Sequence, residues 1–296
     1  MNKILKGTTR RIGNAAIYYG DCRDFRPSIH NFKRPQLAFF STPYPGMLGW
    51  SMSVNEYING WLTIRIPAIC QSMDYDTGVI IQNVWFPRTL DGLYDKRIFE
   101  IPEIYARSGW RLIETYIWDK KNTPPAGNMK RQDRNEYEFC FAFARNQNYK
   151  YHKFRLPYAD KTIGKAASGN MRKPDINGQL AGGHSNLHPD GAAQGNILRY
   201  SASGDQGRPR IKGRVFPRGL AERFILQYSD LGDTIYDPFC GSGTTLVMAV
   251  KNMRRALGCE TDPDSINIAE RWLINEQNLE HTRNEESDEK ETSNDV

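Results

Sequence analysis

Short, uninterrupted apolar runs recur along the chain, each closed by a turn signal. They fall at Ala15–Tyr19 before "GDC", Leu37–Phe40 before "STPYPG", Gly78–Phe86 ("GVIIQNVWF") and Arg111–Trp118 ("RLIETYIW"). Three more follow at Tyr137–Ala144 ("YEFCFAFA"), Thr234–Phe239 ("TIYDPF") and Arg255–Glu260 ("RALGCE"). Runs of this length predict strands of a sheet covered on both faces. Between them the apolar positions change to helical spacing, around Tyr57–Met73 (with Pro67 inside), Ala221–Tyr228, Thr244–Met253 and Pro263–Asn275. The alternation predicts an α/β, doubly wound, Rossmann-like domain with a mixed, mostly parallel sheet. "YEFCFAFARN" follows the preceding strand with no clear helix between, so it is expected as an antiparallel strand at one edge.

Between Asn146 and Lys212 this pattern stops. The stretch is rich in Gly, Ala, Asn and basic residues and almost empty of large apolar ones. It cannot bury enough surface for a core of its own, so residues 146–214 are expected to be an inserted module that orders against a partner. The flanking halves, 1–145 and 215–279, then make one domain, followed by an acidic tail expected to be disordered over 280–296.

Charge sharpens this division. The 296 residues carry a formal +6, but the stretch from Gln277 to Val296 holds seven Asp/Glu against two Lys/Arg, while 146–215 hold twelve Lys/Arg against four Asp/Glu. A basic segment inside a folded chain suits a polyanion. The chain has no apolar run long enough for a membrane span and no apolar leader segment near Met1, so neither a span nor a secretory signal is expected. Five scattered cysteines (Cys22, Cys70, Cys140, Cys240, Cys259) without a CxxC pair suggest reduced thiols in a cytoplasm. His184 and His188 stand four apart but lack a carboxylate or Cys companion, and no metal site is expected there.

The most specific local signal is "TIYDPFCGSGTTLVMAV", a strand, a tight glycine loop and a helix start. Gly241 and Gly243 let backbone approach a ligand closely, and Thr244 opens a helix whose amides favour an anion. Glu260 ends the next predicted strand, placed to accept hydrogen bonds from both hydroxyls of a ribose. A nucleoside triphosphate would call for GxxxxGK[ST], which is absent, and a dinucleotide for a third glycine where Leu246 stands. S-adenosylmethionine needs a glycine turn, a helix start for its carboxylate and an acid for its ribose, and it fits best.

With these residues in view the chain resembles the amino-directed DNA methyltransferases. "DPFCGSGTT" is similar to that family's cofactor loop, and Ser41-Thr42-Pro43-Tyr44 to its catalytic [DNS]-P-P-[YFW] tetrapeptide. Catalytic motif first, basic insert next and cofactor motif last is the order of the family's beta class. The resemblance implies S-adenosylmethionine contacts from Asp237, Pro238, Phe239, Gly241, Gly243, Thr244 and Glu260. It also implies Asp21 (in "YYGDCRDF") near the adenine and Phe216 and Pro217 (in "FPRGLAERFILQY") as walls of the methionine end. "IWDKKNTPPAG" and "RNEYEFCFAFAR" resemble the later strands, and the insert takes the place of a target-recognition domain.

An exocyclic amino nitrogen on a base is a poor nucleophile because its lone pair is conjugated into the ring. Methylation needs it held in line with the methyl, with acceptors drawing its protons out of plane. Ser41 Oγ can accept one hydrogen bond and the Thr42 carbonyl the other, while Pro43 stiffens the turn and Tyr44 offers a face to an extruded base. Thr42 stands where the family has its first proline, which loses a fixed φ and adds a hydroxyl expected near the base. Ser in the first position implies N4 of cytosine, with N6 of adenine second. The implied partner is double-stranded DNA, with a cognate restriction endonuclease in the same system as a further expectation. Methylation of RNA or a protein amide, and a DNA-binding protein with a degenerate site, are the competing functions.

Overall fold

A computed structural model describes residues 5–27, 32–43, 45, 52–87, 94–121, 135–167, 172–174, 180–182, 187–201 and 215–292, without the side chains at 164–167, 172–174, 180–182 and 279–292. Its strands are β1 (Thr9–Ile12), β2 (Ala15–Tyr19), β3 (Leu37–Ser41), β4 (Val79–Val84), β5 (Arg111–Asp119), β6 (Tyr137–Ala144) and β7 (Arg155–Leu156). They continue with β8 (Arg172–Pro174), β9 (Leu180–Gly182), β10 (Ala192–Ala193), β11 (Ile197–Arg199), β12 (Thr234–Asp237) and β13 (Arg255–Glu260). The helices are α1 (Thr63–Ser72), α2 (Ile101–Arg107), α3 (Asp160–Ala167), α4 (Arg218–Tyr228), α5 (Thr244–Lys251) and α6 (Pro263–Thr292), with a π-helical segment at Glu56–Leu62 leading into α1.

Nine strands form one sheet in the order β1-β2-β13-β12-β3-β4-β6-β5-β11. Its centre, β2, β13, β12, β3 and β4, is parallel throughout. Alternation along these strands splits their apolar side chains between two cores. Leu37, Phe39, Ile235 and Ala256 pack with α4, α5 and α6 on one face. Ala38, Phe40, Tyr236 and Leu257 pack with the π-helical segment, α1 and α2 on the other. After β12 the chain crosses one face and steps outward to β13; after β3 it crosses the other and steps outward to β4. Strand order therefore reverses between β12 and β3. In a doubly wound sheet, the crevice beyond the carboxyl ends at such a point is where ligands bind.

Three features depart from the sequence expectations. Tyr137–Ala144 is an antiparallel strand, but β6 lies inside the sheet between β4 and β5. The edge beyond them is taken by β11, which adds parallel to β5 from about eighty residues away. The acidic stretch from residue 280, expected to be disordered, continues α6 as far as Thr292. Glu and Lys are good helix formers, and extending a helix already packed through Ile266, Ala269, Trp272 and Leu273 needs no new nucleus.

The chain divides into two compact units. One comprises Met1–Tyr151 with Ile197–Val296, and the other is His152–Asn196. The smaller is narrower than the 146–214 insert, because Ile197–Arg199 is a strand of the large sheet. Within it β7 and β10 pair antiparallel, as do β8 and β9. The Arg155 guanidinium donates to the Gly191 carbonyl at 2.8 Å, closing the first of these ladders. Among the described residues no helix is long and apolar enough to cross a membrane, and all five cysteines are buried free thiols.

Candidate functional site

Two segments meet at the switch point. On one side is the tip of β3. Alternation turns Phe39 toward Phe216, with ring centroids 4.6 Å apart, and Phe40 toward Phe239, 5.6 Å apart. Ser41, the next residue, is half-buried at the strand end opposite Asn83 of β4. Thr42 is 3% exposed, on the Phe40 side. Its hydroxyl shares a hydrogen bond with the Tyr57 hydroxyl and accepts one from Gln82 Nε2 at 3.5 Å. The hydroxyl that the sequence places near the base is thus turned into the protein, because two buried polar groups need it there. Tyr44 lies outside the described residues.

On the other side is the glycine loop after β12. Gly241 and Gly243 have φ of +50° and +91°. A Cβ on Gly243 would also lie 2.9 Å from Ala269 Cβ of α6, so this position needs glycine twice over, whereas a Cβ on Gly241 would project into open space. The loop is tied to both neighbours. The Cys240 amide donates to the Cys259 carbonyl at 3.0 Å, the Gly241 amide to Glu260 Oε2 at 2.9 Å, and Thr245 Oγ1 to the Phe39 carbonyl at 3.1 Å. Ser242 Oγ and Thr244 Oγ1 are buried without a hydrogen-bond partner among the described residues.

Three carboxylates lie along this edge, two with raised pKa and one with lowered. Asp237 is fully buried, and burial pushes its pKa up to about 7 against the pull of the Thr245 hydroxyl and the Phe239 amide, with the Glu260 charge adding to the rise. Burial also raises Glu260, although backbone amides of Asp262, Thr261 and Gly241 donate to it. Asp21 follows β2, where the Gly20 amide donates to the Glu260 carbonyl at 2.9 Å and so brings the two acids to one edge. Burial alone would raise Asp21, but Arg23 and Arg65 outweigh it and hold it below the usual carboxylate range; Arg65 Nη2 lies 2.6 Å from Asp21 Oδ2.

The structure thus places Asp21, Ser41, Thr42, Pro43, Asp237, Pro238, Phe239, Gly241, Gly243, Thr244 and Glu260 at or just past the carboxyl ends of the central strands, with Phe216 against Phe39 of β3 and Pro217 as the N-cap of α4. It adds residues the pattern did not single out. Trp85, Phe86, Tyr94, Lys96 and Tyr137 line a cleft of about 250 Å³ just past the ends of β4 and before the start of β6. Beside it a buried Lys120–Glu138 ion pair lies against Trp85 and Trp118. A cluster of aromatic residues at or just outside the ends of β4 and β6 was the available signal.

Known proteins have the same architecture. The structure superposes on the PvuII cytosine-N4-specific DNA methyltransferase with a TM-score of 0.65 at 16% identity, covering 88% of this chain and 86% of that one. The M1.HpyAVI–SAM complex gives 0.56 at 17% identity over 88% and 98%. The fold is thus that of the Rossmann-like methyltransferases. In sequence, the type II methyltransferase M1.MboII of Moraxella bovis is 26% identical over 86% of this chain and 94% of its own length. The orphan methyltransferase M.BamHII of Bacillus amyloliquefaciens is 32% identical over 58% and 65%. A family model for DNA methylases of the N6/N4 type matches residues 36–271, well over half of the chain. The chain belongs to the N6/N4 DNA methylase family.

Proposed function

We propose that the chain transfers a methyl group from S-adenosylmethionine to the N4 amino group of a cytosine extruded from double-stranded DNA. The observation that carries this reading is the meeting of the Ser41 strand tip with the Gly241–Thr244 loop at the point where strand order reverses.

The loop fits the cofactor. The space beside Gly241 admits a ligand against the backbone, and the hydroxyls of Ser242 and Thr244 are donors that no described residue satisfies. Glu260 and Asp21 would face the ribose and adenine, and Phe216 with Pro217 the methionine end. When bound, S-adenosylmethionine supplies a methyl group made electrophilic by its sulfonium. Ser41 Oγ and the Thr42 carbonyl would each accept a hydrogen bond from the amino group and so draw the nitrogen lone pair out of conjugation, with one amino proton lost as the nitrogen–methyl bond forms. Tyr44 and the aromatic cleft of Trp85, Tyr94 and Tyr137 would hold the base by stacking, and Lys96 at its rim would meet a phosphate. The basic module within residues 146–214 would supply backbone contacts and base recognition. A role in a type II system, protecting host sites from a cognate endonuclease, follows the Moraxella relative.

DNA from cells expressing the protein, digested to nucleosides and analysed by mass spectrometry, tests this. N4-methylcytosine is the expected product. N6-methyladenine would keep the enzyme class and replace the base, in which case Ser41 serves the second target of this family. Neither product, with DNA binding intact and no heat of cofactor binding in calorimetry, would favour a DNA-binding protein with a degenerate site.

A further inference from the structure

We infer that Thr42 and Tyr57 are the positioning device of the catalytic tip, fixing through a buried hydrogen-bond chain the carbonyl that the family's first proline fixes through its ring. The inference rests on the proposed transfer, because the Thr42 carbonyl matters to chemistry only if an amino group is held against it.

The chain of contacts crosses four separate elements. Thr42 follows β3, Tyr57 belongs to the π-helical segment, Gln82 to β4 and Tyr105 to α2. The Thr42 and Tyr57 hydroxyls share a hydrogen bond, Gln82 Nε2 donates to Thr42 Oγ1, and the Tyr105 hydroxyl donates to Gln82 Oε1 at 3.0 Å. All four side chains are buried. Burial also raises the Tyr57 phenol well above its ordinary range, so it remains a protonated partner. A buried polar network whose members satisfy one another specifies a single arrangement, since each alternative strands a polar group away from water.

Proline at position 42 and this network exclude each other. A pyrrolidine has no hydroxyl, so it would leave Tyr57 without its Thr42 partner and Gln82 Nε2 without the acceptor it has here. The chain therefore uses one of two alternative ways to hold the same carbonyl.

The helical side of the device also reaches the cofactor loop. Tyr57, Trp61 and Arg65 recur at four-residue intervals along the π-helical segment and α1. Trp61 stacks on Tyr57 with centroids 5.8 Å apart and packs on Phe239 of the glycine loop at 5.2 Å. The Arg65 guanidinium lies 4.2 Å from the Trp61 ring centroid and binds Asp21. One helical edge thus touches the catalytic tip, the cofactor loop and the acid expected near the adenine. π-Helical turns inside α-helices often mark functional sites, because the extra residue redirects the side chains around it.

The test uses the full chain with duplex DNA and S-adenosylmethionine. Thr42→Val keeps the shape and removes the hydroxyl, Tyr57→Phe removes the other, and Thr42→Ser keeps the bond. Both deletions are expected to lower kcat by about 10- to 100-fold while the cofactor KM stays within about twofold, and Thr42→Ser to stay within about threefold of wild type. Thr42→Pro combined with Tyr57→Phe should turn over faster than Thr42→Pro alone. Wild-type kcat in both deletions, or a Thr42→Ser variant as slow as Thr42→Val, overturns the inference. Hydrogen exchange of the free protein gives a readout independent of turnover. Tyr57→Phe should speed exchange around Ser41 and Thr42 and leave β12 and α5 unchanged, and no change at the tip overturns the inference. A wild-type chain that transfers no methyl to any DNA would instead sink the proposed function, with the exchange result still deciding on the device.

Discussion

Thr42 at the strand tip and Thr244 at the glycine loop are each 3% exposed, and their surroundings could hardly differ more. The Thr42 hydroxyl has two buried partners from two other elements. The Thr244 hydroxyl has none among the described residues, and neither does that of nearby Ser242. A buried hydroxyl left unpaired costs roughly 1–3 kcal/mol, so the second arrangement persists only where something outside the protein completes it or the fold leaves no choice. The difference separates two kinds of preparation within one crevice. At the tip the protein itself supplies the partners; at the loop the described residues supply none, and under the proposed function the cofactor is what completes it.

The largest expected effect lies at the tip, at Ser41, half-buried at the end of its strand. Ser41→Ala should lower kcat by about 100-fold or more, the scale seen when a single hydrogen-bonding group to a transition state is removed. Cofactor affinity, read by calorimetry, should be unchanged, since no described contact joins Ser41 to the loop. A fall in affinity as large as the fall in kcat would erase the distinction between a finished tip and a waiting loop.

The loop's own state is visible in pH dependence. Asp237 titrates near 7 in the folded chain and near 3.8 when unfolded, so between these values the native state holds a proton the unfolded chain has released. Stability from this group is therefore fully present below about pH 4 and is lost as pH rises through 7. Glu260 is also raised and acts with the same sign. Carboxylates held low, such as Asp21, Asp74 and Asp262, are ionised in both states over this window and cancel. The Tm should thus rise as pH falls from 8 to 5.5, by about 5 °C. Asp237→Asn keeps an acceptor for the Phe239 amide and should flatten most of that slope. A wild-type Tm that falls over the same range would show that the loop is not strained by its buried acid.

The central strands and the glycine loop were legible because their signals are local. An apolar run bounded by turns reports a strand covered on both faces, and two glycines between a strand and a helix report a tight loop. What was not legible depends on partners far away in the chain. The Thr42 hydroxyl turns inward because of Tyr57, and Asp21 is held by Arg65, forty-four residues on. β6 is interior because β5 pairs along its far side, and the edge beyond is β11, which no run of apolar residues marks; Ile197–Arg199 is only three residues long. α2 went unseen because it spans seven residues and carries Pro102 in its first turn, too short a stretch for periodicity to declare itself. The acidic end of α6 shows the reverse, since composition spoke for disorder while the helix it extends decided otherwise.

The smallest expected effect tests the waiting loop most directly. Thr244→Val keeps the shape of the side chain and removes the unpartnered hydroxyl. In the free protein the change should be neutral or stabilising by about 1 kcal/mol, a gain of roughly 2–4 °C in Tm, because a buried donor without a partner has been removed. With S-adenosylmethionine present the order should reverse, with affinity weaker by about fivefold and a smaller thermal shift on binding, as expected for one lost hydrogen bond. The variant is thus predicted to be better folded and worse at binding at once. If Thr244→Val instead lowers the stability of the free protein and leaves affinity unchanged, its hydroxyl already has a partner in solution, and the loop is as finished as the tip.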